Sequence, residues 1–331
     1  MNQPSSLADR IRRGEPLPWY LDALLTTATP LYRLGMFARS LSNPIKVSAR
    51  VISIGNITAG GTGKTPAVIE RAQAEVAAGN TVAVLTRGYG AKNRSKTLVL
   101  APGAQARSMA GELGDEPALI ARRVPEVLIA RGTDRVAAAH AAIDRGCNVL
   151  ILDDGYQYLR LARDENVIVI DASNPFGSGS LIPRGTLREP TTALRRATHI
   201  ILTHCDIPDA KALRTLVNTV REICPNTPIR KTRHEPDALW SLESGKTHAL
   251  SMLQGAPITA VCGIAQPEHF IATLQLLGAR VDNQRIYPDH ADIPASAFSG
   301  PNKIIITEKD AARLSGTPPN VYALGIRLTN L

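Results

Sequence analysis

The chain has 331 residues, of which 44% are hydrophobic and 20% charged, a composition typical of a folded protein rather than a disordered one. Its length allows two domains, each with its own core. The formal net charge of +9 favours an anionic partner, but an aromatic content of only 4% argues against a nucleic-acid-binding ATPase. The cysteines are scattered without C-x-x-C spacing, which excludes the usual zinc motifs and a disulfide framework.

The first segment, residues 17–44, is rich in leucine, alanine and aromatic residues at helical spacing. Asp22, Pro30 and Arg33 interrupt it, so it is a poor bilayer-spanning helix. Residues 1–50 carry seven Lys or Arg against three acidic residues. An apolar, aromatic face flanked by cations is typical of a helix lying in the headgroup layer of a membrane. A helix packed in the core of the first domain would show a similar pattern.

Strand-like and helix-like segments then alternate as far as about residue 225. Short apolar runs that predict strands or strand–loop units lie at 49–55, 81–90, 126–130, 148–155, 166–172 and 198–206. Segments that predict helices lie at 64–78, 115–125 and 134–146. This alternation predicts a parallel α/β sheet covered by helices on both faces.

The composition of the sequence changes after residue 225, and the regular alternation of strands and helices is interrupted. Residues 225–240 are rich in proline and charge and are interpreted as a connector. The α/β rhythm resumes with a strand at 258–264, a helix over 268–281, a strand and helix within 302–314, and a strand at 320–328. The predicted organisation is an N-terminal membrane-associated helical segment (1–45), a core (46–225) and a smaller α/β domain (226–331) that closes a cleft.

Residues 57–66, ITAGGTGKTP, join a predicted strand to a predicted helix and indicate a phosphate-binding loop, or P-loop. Glycines let the backbone turn its N–H groups toward phosphates, Lys64 would reach the β- and γ-phosphates, and the Thr65 hydroxyl would bind Mg²⁺. Thr58 stands where the motif G-x-x-x-x-G-K-[ST] has its first glycine. The predicted nucleotide-binding residues are Thr58, Gly60, Gly61, Thr62, Gly63, Lys64 and Thr65. The fold class is therefore α/β of the P-loop NTPase type.

Two adjacent carboxylates, Asp153 and Asp154, follow the apolar run at 149–152. In a P-loop protein, a carboxylate at the end of a neighbouring strand holds the metal directly or through water. The predicted metal ligands are Thr65, Asp153 and Asp154, although adjacent aspartates can also simply begin a turn.

Phosphoryl transfer also needs an acceptor site with a group that takes a proton. Candidates are Asp115 at a helix start, Arg184 and Arg188 in a loop punctuated by proline and glycine, and His290. Each has a structural alternative: a helix N-cap for Asp115, a surface ion pair with Glu189 for Arg188, and an ordinary loop histidine for His290.

Taken in order, several motifs make the chain resemble the tetraacyldisaccharide 4'-kinase family of lipid A biosynthesis. They are GNITAGGTGKTP, TRGYGAK, GDEP, RGTDR, ILDDGYQ, GTLREP, CGIAQPEHF, YPDHADI and TEKDA, spread from about residue 15 to 325. DDGYQ with GDEP and LREP is far more specific than the P-loop alone. The family pattern also has a small hydroxyl residue at Thr58, but it usually has Phe at Tyr156.

The resemblance implies that ATP donates its γ-phosphate to the 4'-hydroxyl of a tetraacylated glucosamine disaccharide 1-phosphate. The family's P-loop lysine and threonine correspond to Lys64 and Thr65, and its acidic pair to Asp153 and Asp154. The catalytic residues implied are Lys64, Asp115 paired with His290 from the second domain, and the arginines Arg135 and Arg188. A histidine in the other domain would complete the site only on cleft closure.

An acylated substrate that stays in the bilayer implies a peripheral enzyme on the cytoplasmic face of the inner membrane. No nucleic-acid or protein partner is expected. The main alternative function is a P-loop GTPase or ATPase switch, in which Asp206 after a predicted strand would recognise guanine. That alternative requires GTP to bind far better than ATP.

Overall fold

The computed structural model describes residues 7, 10–11, 15–40, 43–88, 99–106, 109–264, 267–288, 291–314, 316 and 318–331. The first long helix, α1 (Trp19–Ser40), contains a proline in its interior. The helices that follow are α2 (Lys64–Ala77), α3 (Gly103–Ala106), α4 (Ala110–Leu113), α5 (Asp115–Arg123), α6 (Arg135–Ile143), α7 (Ala210–Ile223), α8 (Pro267–Leu276) and α9 (Glu308–Arg313). Short 3-10 helices occur at Thr191–Arg196, Leu250–Leu253 and Ala295–Phe298.

Within these ranges, thirteen strands form one mixed sheet. They are β1 (Arg50–Gly55), β2 (Val82–Thr86), β3 (Val99–Pro102), β4 (Leu128–Arg131), β5 (Val149–Asp153), β6 (Glu165–Asp171), β7 (His199–Thr203), β8 (Ile229–Ser241), β9 (Thr247–His248), β10 (Pro257–Cys262), β11 (Arg280–Ile286), β12 (Lys303–Thr307) and β13 (Val321–Asn330). Their order is β11-β10-β12-β13-β8-β7-β6-β1-β5-β2-β4-β3, and β9 pairs with β8.

The centre of the sheet is parallel and buried on both faces. Successive residues of β1 point to opposite sides: Ile52 packs in a cluster with Val68 of α2, while Val51 packs in a second cluster with Ala138 of α6. Parallel strands covered in this way are near-continuous apolar runs, as in β5, whose five residues are all buried. The predicted α/β class is confirmed.

The interpretation of residues 225–240 as a connector is wrong, because most of this segment forms β8, a 13-residue strand. The start of β8 runs parallel to β7 through Ile229, whereas its later part runs antiparallel to β13. Pro236 lies opposite Ile326, next to a register shift in β13. A bulge tolerates a proline that cannot donate to the ladder, which explains how this sequence still forms a strand.

Other elements differ from the sequence prediction at their limits. The helix expected over 268–281 ends at Leu276, because Gly278 adopts a positive φ of 83° and the chain turns into β11. Strand β3 and helix α7 had no sequence prediction. The predicted split at residue 225 lies just before β8, which pairs with strands on both sides of that boundary.

Candidate active site

The loop between β1 and α2 has the backbone that its glycines predict. Gly63 is the N-cap of α2, with φ 79° and ψ 23°, and Gly60 has φ 130°. A Cβ on Gly63 would also come within 2.8 Å of Nε2 of His234. Both the positive φ and the close contact therefore require glycine at position 63.

Side-chain hydrogen bonds from neighbouring segments hold this loop in place. The Asn56 amide Nδ2 donates to the Thr62 hydroxyl at 3.0 Å, and the Thr203 hydroxyl donates to the Thr62 carbonyl at 2.9 Å. Thr58 is buried and pairs with Leu187 in an isolated bridge. Its φ is not positive, so this position needs no glycine, which explains how the loop departs from the motif without losing its shape.

The pairing of β1 with β5 brings two adjacent carboxylates, Asp153 and Asp154 (the acidic pair), to the loop. β1 and β5 are parallel neighbours with Ile54 opposite Asp153, so the loop and both carboxylates lie at the same edge of the sheet. Lys64 Nζ lies 3.6 Å from Oδ1 of Asp154, and Arg188 Nη1 donates to Oδ2 at 2.6 Å. Burial opposes ionisation of Asp154, but Lys64 and Arg188 hold its pKa below the ordinary value.

Asp153 has the opposite electrostatic environment. Burial raises the pKa of Asp153 to about 7, and the carboxylates of Glu116 and Asp154 add to this effect, while Lys64 and Arg135 oppose it. Its Oδ1 atom is buried and has no hydrogen-bond partner among the described residues. A buried carboxylate oxygen without a donor is costly, and it is therefore a candidate ligand for a cation.

Arg135 begins α6 directly after the N-cap Asp134, whose carboxylate accepts from the backbone of the first turn. The Arg135 guanidinium is buried and lies 5.1 Å from the Tyr158 ring centroid. Burial and then Arg87 lower its pKa, whereas Asp153 and Asp154 favour its charge. Arg135 is therefore a buried cation within electrostatic range of the acidic pair.

Asp115 is the first residue of α5, after Gly114, which occupies the N-cap position with φ 97°. The N-cap alternative for Asp115 is thus wrong. Oδ2 of Asp115 lies 3.9 Å from Nε of Arg313, a residue of α9. The next residue, Glu116, is the one that influences Asp153, so α5 borders the acidic pair.

Two further expectations have different outcomes. The alternative of a surface ion pair between Arg188 and Glu189 is wrong. Arg188 binds Asp154, and Glu189 pairs with Arg196 at 2.7 Å. His290 lies outside the described residues, so its pairing with Asp115 stays a prediction.

Helix α1 is bonded to the loop that carries Arg188. The Tyr32 hydroxyl donates to the Arg188 carbonyl at 2.9 Å, and Arg184 Nε pairs with Oδ1 of Asp22 at 3.0 Å. The loop arginines thus have different partners: one belongs to the acidic pair, the other to α1.

Sequence reasoning missed several residues of this site. Arg313, Tyr32 and Asn56 had no assigned role, although Asn56 lies inside the quoted GNITAGG motif. Gln157, the last residue of DDGYQ, donates through Nε2 to the Asn56 carbonyl at 2.8 Å and to Oε1 of Glu189 at 3.0 Å. Motif membership was the available signal for Asn56 and Gln157. Tyr32 and Arg313 carried none, since their contacts span more than a hundred residues of sequence.

Tyr156, where the family usually has Phe, is completely buried. Its hydroxyl donates to the Ala193 carbonyl at 2.6 Å, so the additional polar atom is satisfied. Burial raises the pKa of Tyr156 to about 12, which keeps the hydroxyl protonated as a donor.

Comparisons with known proteins identify the family of this chain. A model of the tetraacyldisaccharide-1-P 4'-kinase family matches residues 16–330. The tetraacyldisaccharide 4'-kinase of Anaeromyxobacter dehalogenans strain 2CP-C is 42% identical over 311 residues, covering 91% of this chain and 81% of that protein. The tetraacyldisaccharide 4'-kinase of Syntrophus aciditrophicus is 41% identical over 315 residues, covering 88% and 84%.

Among solved structures, the "apo" form of LpxK from Aquifex aeolicus in complex with ATP is similar, with a TM-score of 0.70 and 27% identity over 94% of this chain and 92% of that one. The resemblance seen in the motifs is thereby confirmed, and the GTPase alternative loses its support. With a family match over almost its whole length, the chain belongs to the tetraacyldisaccharide 4'-kinase family.

Proposed function

We propose that this chain transfers the γ-phosphate of ATP to the 4'-hydroxyl of a tetraacylated glucosamine disaccharide 1-phosphate, the reaction named by its family. The observation that carries the proposal is the ion-paired chain Lys64–Asp154–Arg188 at the mouth of the P-loop. It concentrates the charged groups that phosphoryl transfer requires at the carboxyl ends of β1 and β5.

Mg²⁺ is proposed to bind at Thr65, Asp153 and Asp154. The donor set fits, because the buried Asp153 Oδ1 atom has no donor among the described residues and hydroxyl and carboxylate oxygens are the ligands that Mg²⁺ prefers. When bound, the ion would neutralise charge on the phosphates. Lys64 would exchange its contact with Asp154 for one with the nucleotide.

Asp115 is proposed as the general base, which takes the proton of the 4'-hydroxyl as its oxygen bonds to phosphorus. Arg313 Nε lies 3.9 Å from Oδ2 of Asp115, so this carboxylate has a cation nearby. His290 is proposed to orient this carboxylate. Arg135 and Arg188 are proposed to stabilise charge on the transferring group or on the substrate's 1-phosphate.

The predicted domains are retained as a proposal, with 46–225 holding the nucleotide and 226–331 closing over the acceptor. Support comes from the contacts of α9, which packs on α5 and presents Arg313 to Asp115. A pivot near β8 suits such closure, because that strand pairs with β7 on one side and β13 on the other.

Peripheral binding to the cytoplasmic face of the inner membrane is proposed to occur through α1. No helix in the described ranges is both long enough and apolar enough to span a bilayer. The outer surface of α1 nevertheless exposes large apolar side chains. They are Trp19, Tyr20, Leu24, Leu31, Leu34 and Phe37, each at least 57% exposed. The hydrogen bond between Tyr32 and Arg188 links this helix to the site, so docking would bring the site to the lipid.

The proposed reaction is tested by incubating purified protein with labelled ATP and the acylated disaccharide 1-phosphate in detergent. The expected product is the 1,4'-bisphosphate, with ATP preferred to GTP. Lys64→Ala is expected to lower kcat at least ~10³-fold and Asp115→Asn by ~10²- to 10⁴-fold, since each removes a group used in the transition state.

The control for both variants is Lys211→Ala, which removes an exposed cation on α7 and leaves turnover unchanged. Circular dichroism checks that each variant is folded. Near-normal turnover in Lys64→Ala or in Asp115→Asn would contradict the role of that residue. Absence of lipid phosphorylation by the wild type would contradict the proposed function itself.

A further inference from the structure

Helix α9 has a charged first turn whose acidic members are both engaged. Glu308 accepts from Arg123 at 2.8 Å and from the Ile326 backbone at 3.2 Å. Asp310 is fully buried and accepts from the Thr307 hydroxyl at 2.6 Å and the Gly263 backbone at 3.2 Å. Neither carboxylate is therefore available to the lysine that lies between them.

That lysine, Lys309, is exposed, and no carboxylate of the described residues lies within ion-pair distance of its ammonium. A cation without an ion-pair partner among the described residues suggests that its partner is a bound anion.

The position of the ammonium identifies that anion. Lys309 Nζ lies 4.0 Å from a Cβ built on Gly61, so the ammonium lies beside the P-loop. The charge of Lys309 also contributes, after burial and His204, to the lowered pKa of His234, which contacts Gly63. Both relations place the ammonium beside the loop that binds phosphate.

The position of Gly61 in the loop indicates which phosphate of a bound nucleotide Lys309 would contact. Its later residues, Gly63 and Lys64, form the start of α2, where the helix N-terminus holds the inner phosphates. Gly61 lies on the earlier arm of the loop, away from the helix end. With the inner phosphates at the helix N-terminus, a cation beside Gly61 would lie nearer the outer end of a bound triphosphate.

We propose that Lys309 binds the terminal phosphate of ATP, so that α9 supplies a second lysine to the P-loop. The proposal rests on ATP occupying that loop but on no property of the lipid substrate. A lysine that recognises only the third phosphate would make closure of the region 226–331 depend on ATP rather than ADP.

The test compares ATP and ADP binding by titration calorimetry in the presence of magnesium, without lipid. Lys309→Met is expected to weaken ATP binding about 10-fold, the value of one charge-assisted contact, and ADP binding by less than about 2-fold. Lys309→Arg keeps the charge and is expected to retain ATP affinity within about 3-fold. The matched control, Lys246→Met, removes an exposed lysine beside β9 and leaves both affinities unchanged.

Unchanged ATP affinity in Lys309→Met would overturn the proposal, and so would equal losses for ATP and ADP, which would indicate a contact to an inner phosphate or local damage. Thermal melting of each variant identifies misfolding. A wild type that binds ATP but phosphorylates no lipid would contradict the proposed function while leaving this test of Lys309 valid.

Discussion

Asp154 is held by two cations of different origin, and this arrangement explains how the site is ordered before substrate arrives. Lys64 comes from the P-loop and Arg188 from a loop that α1 contacts. Oδ1 of the neighbouring Asp153 has no hydrogen-bond donor among the described residues, and the pKa of Asp153 is raised. Two adjacent carboxylates in different environments can take different roles.

His234, a half-buried neutral histidine beside Gly63, leads to a prediction about stability and pH. Burial, and then His204 and Lys309, lower the pKa of His234 to about 3, although Asp171 opposes this. The unfolded chain, with an ordinary histidine pKa near 6.5, binds a proton that the folded protein excludes between about pH 6.5 and pH 3. Stability contributed by His234 is therefore present above pH 6.5 and is lost as the pH falls.

The measurement is the free energy of unfolding by urea from pH 7 to pH 4. As the pH falls, the free energy of unfolding of His234→Gln is expected to decrease less steeply than that of the wild type, by up to about 1 kcal/mol per pH unit. His140→Gln, which removes an exposed histidine of α6, serves as the control and should follow the wild type. Parallel pH profiles for His234→Gln and the wild type would contradict the assignment.

At the scale of elements, α1 has two faces with different partners. Its inner face is half-buried and includes Leu25, Tyr32 and Met36, while Leu31, Leu34 and Phe37 point outward and are at least 60% exposed. A helix on a globular protein normally buries its apolar stripe, so apolar residues on the outer face indicate a further apolar environment.

Replacing Leu31, Leu34 and Phe37 together with glutamine is expected to reduce binding to anionic phospholipid vesicles at least ~100-fold. The estimate assigns about 1 kcal/mol to each side chain, a fraction of its full burial energy. Stability and ATP affinity should be unchanged, because these side chains are exposed in the fold. Leu276→Gln, at an 88% exposed leucine on α8, is the control. Equal vesicle binding by the triple variant and the wild type would refute the docking role.

At the scale of the whole molecule, one arginine connects α5 to two elements from the later part of the chain, β8 and α9. Arg123, at the end of α5, donates to Glu308 at 2.8 Å and to Asp237 at 2.5 Å, and only 6% of its side chain is exposed. The Trp240 ring lies 5.2 Å from its guanidinium. These contacts join α5 to β8 and α9, so they fix the position of α9, which carries Lys309 and Arg313.

Arg123→Met is expected to lower the free energy of unfolding by roughly 3 kcal/mol, because it leaves two partly buried carboxylates without their cation. Glu308→Gln in the same chain should restore part of that loss. Urea denaturation gives both values. The exposed pair Arg280–Asp282 on β11 offers the control, since Arg280→Met should leave stability unchanged. A loss in Arg123→Met no larger than in Arg280→Met would contradict this role of Arg123.

The sequence by itself determined the elements whose signal is local. Apolar strands such as β1 and β5, the P-loop with its required glycines, and the motifs that identify the family all depend on residues close together in the chain. Such patterns follow from backbone conformation and helical or strand periodicity, which a few neighbouring residues decide.

Only the tertiary structure decided the contacts made between distant segments. β8 is a strand because β7 and β13 supply its hydrogen bonds, although its own composition favours a connector. The same holds for the partners of Arg188. It also holds for the positions of Arg313 and Lys309, which come from a helix about 200 to 250 residues beyond the segments that they face. Side-chain pairs of this kind depend on sheet order and register, which no local pattern specifies.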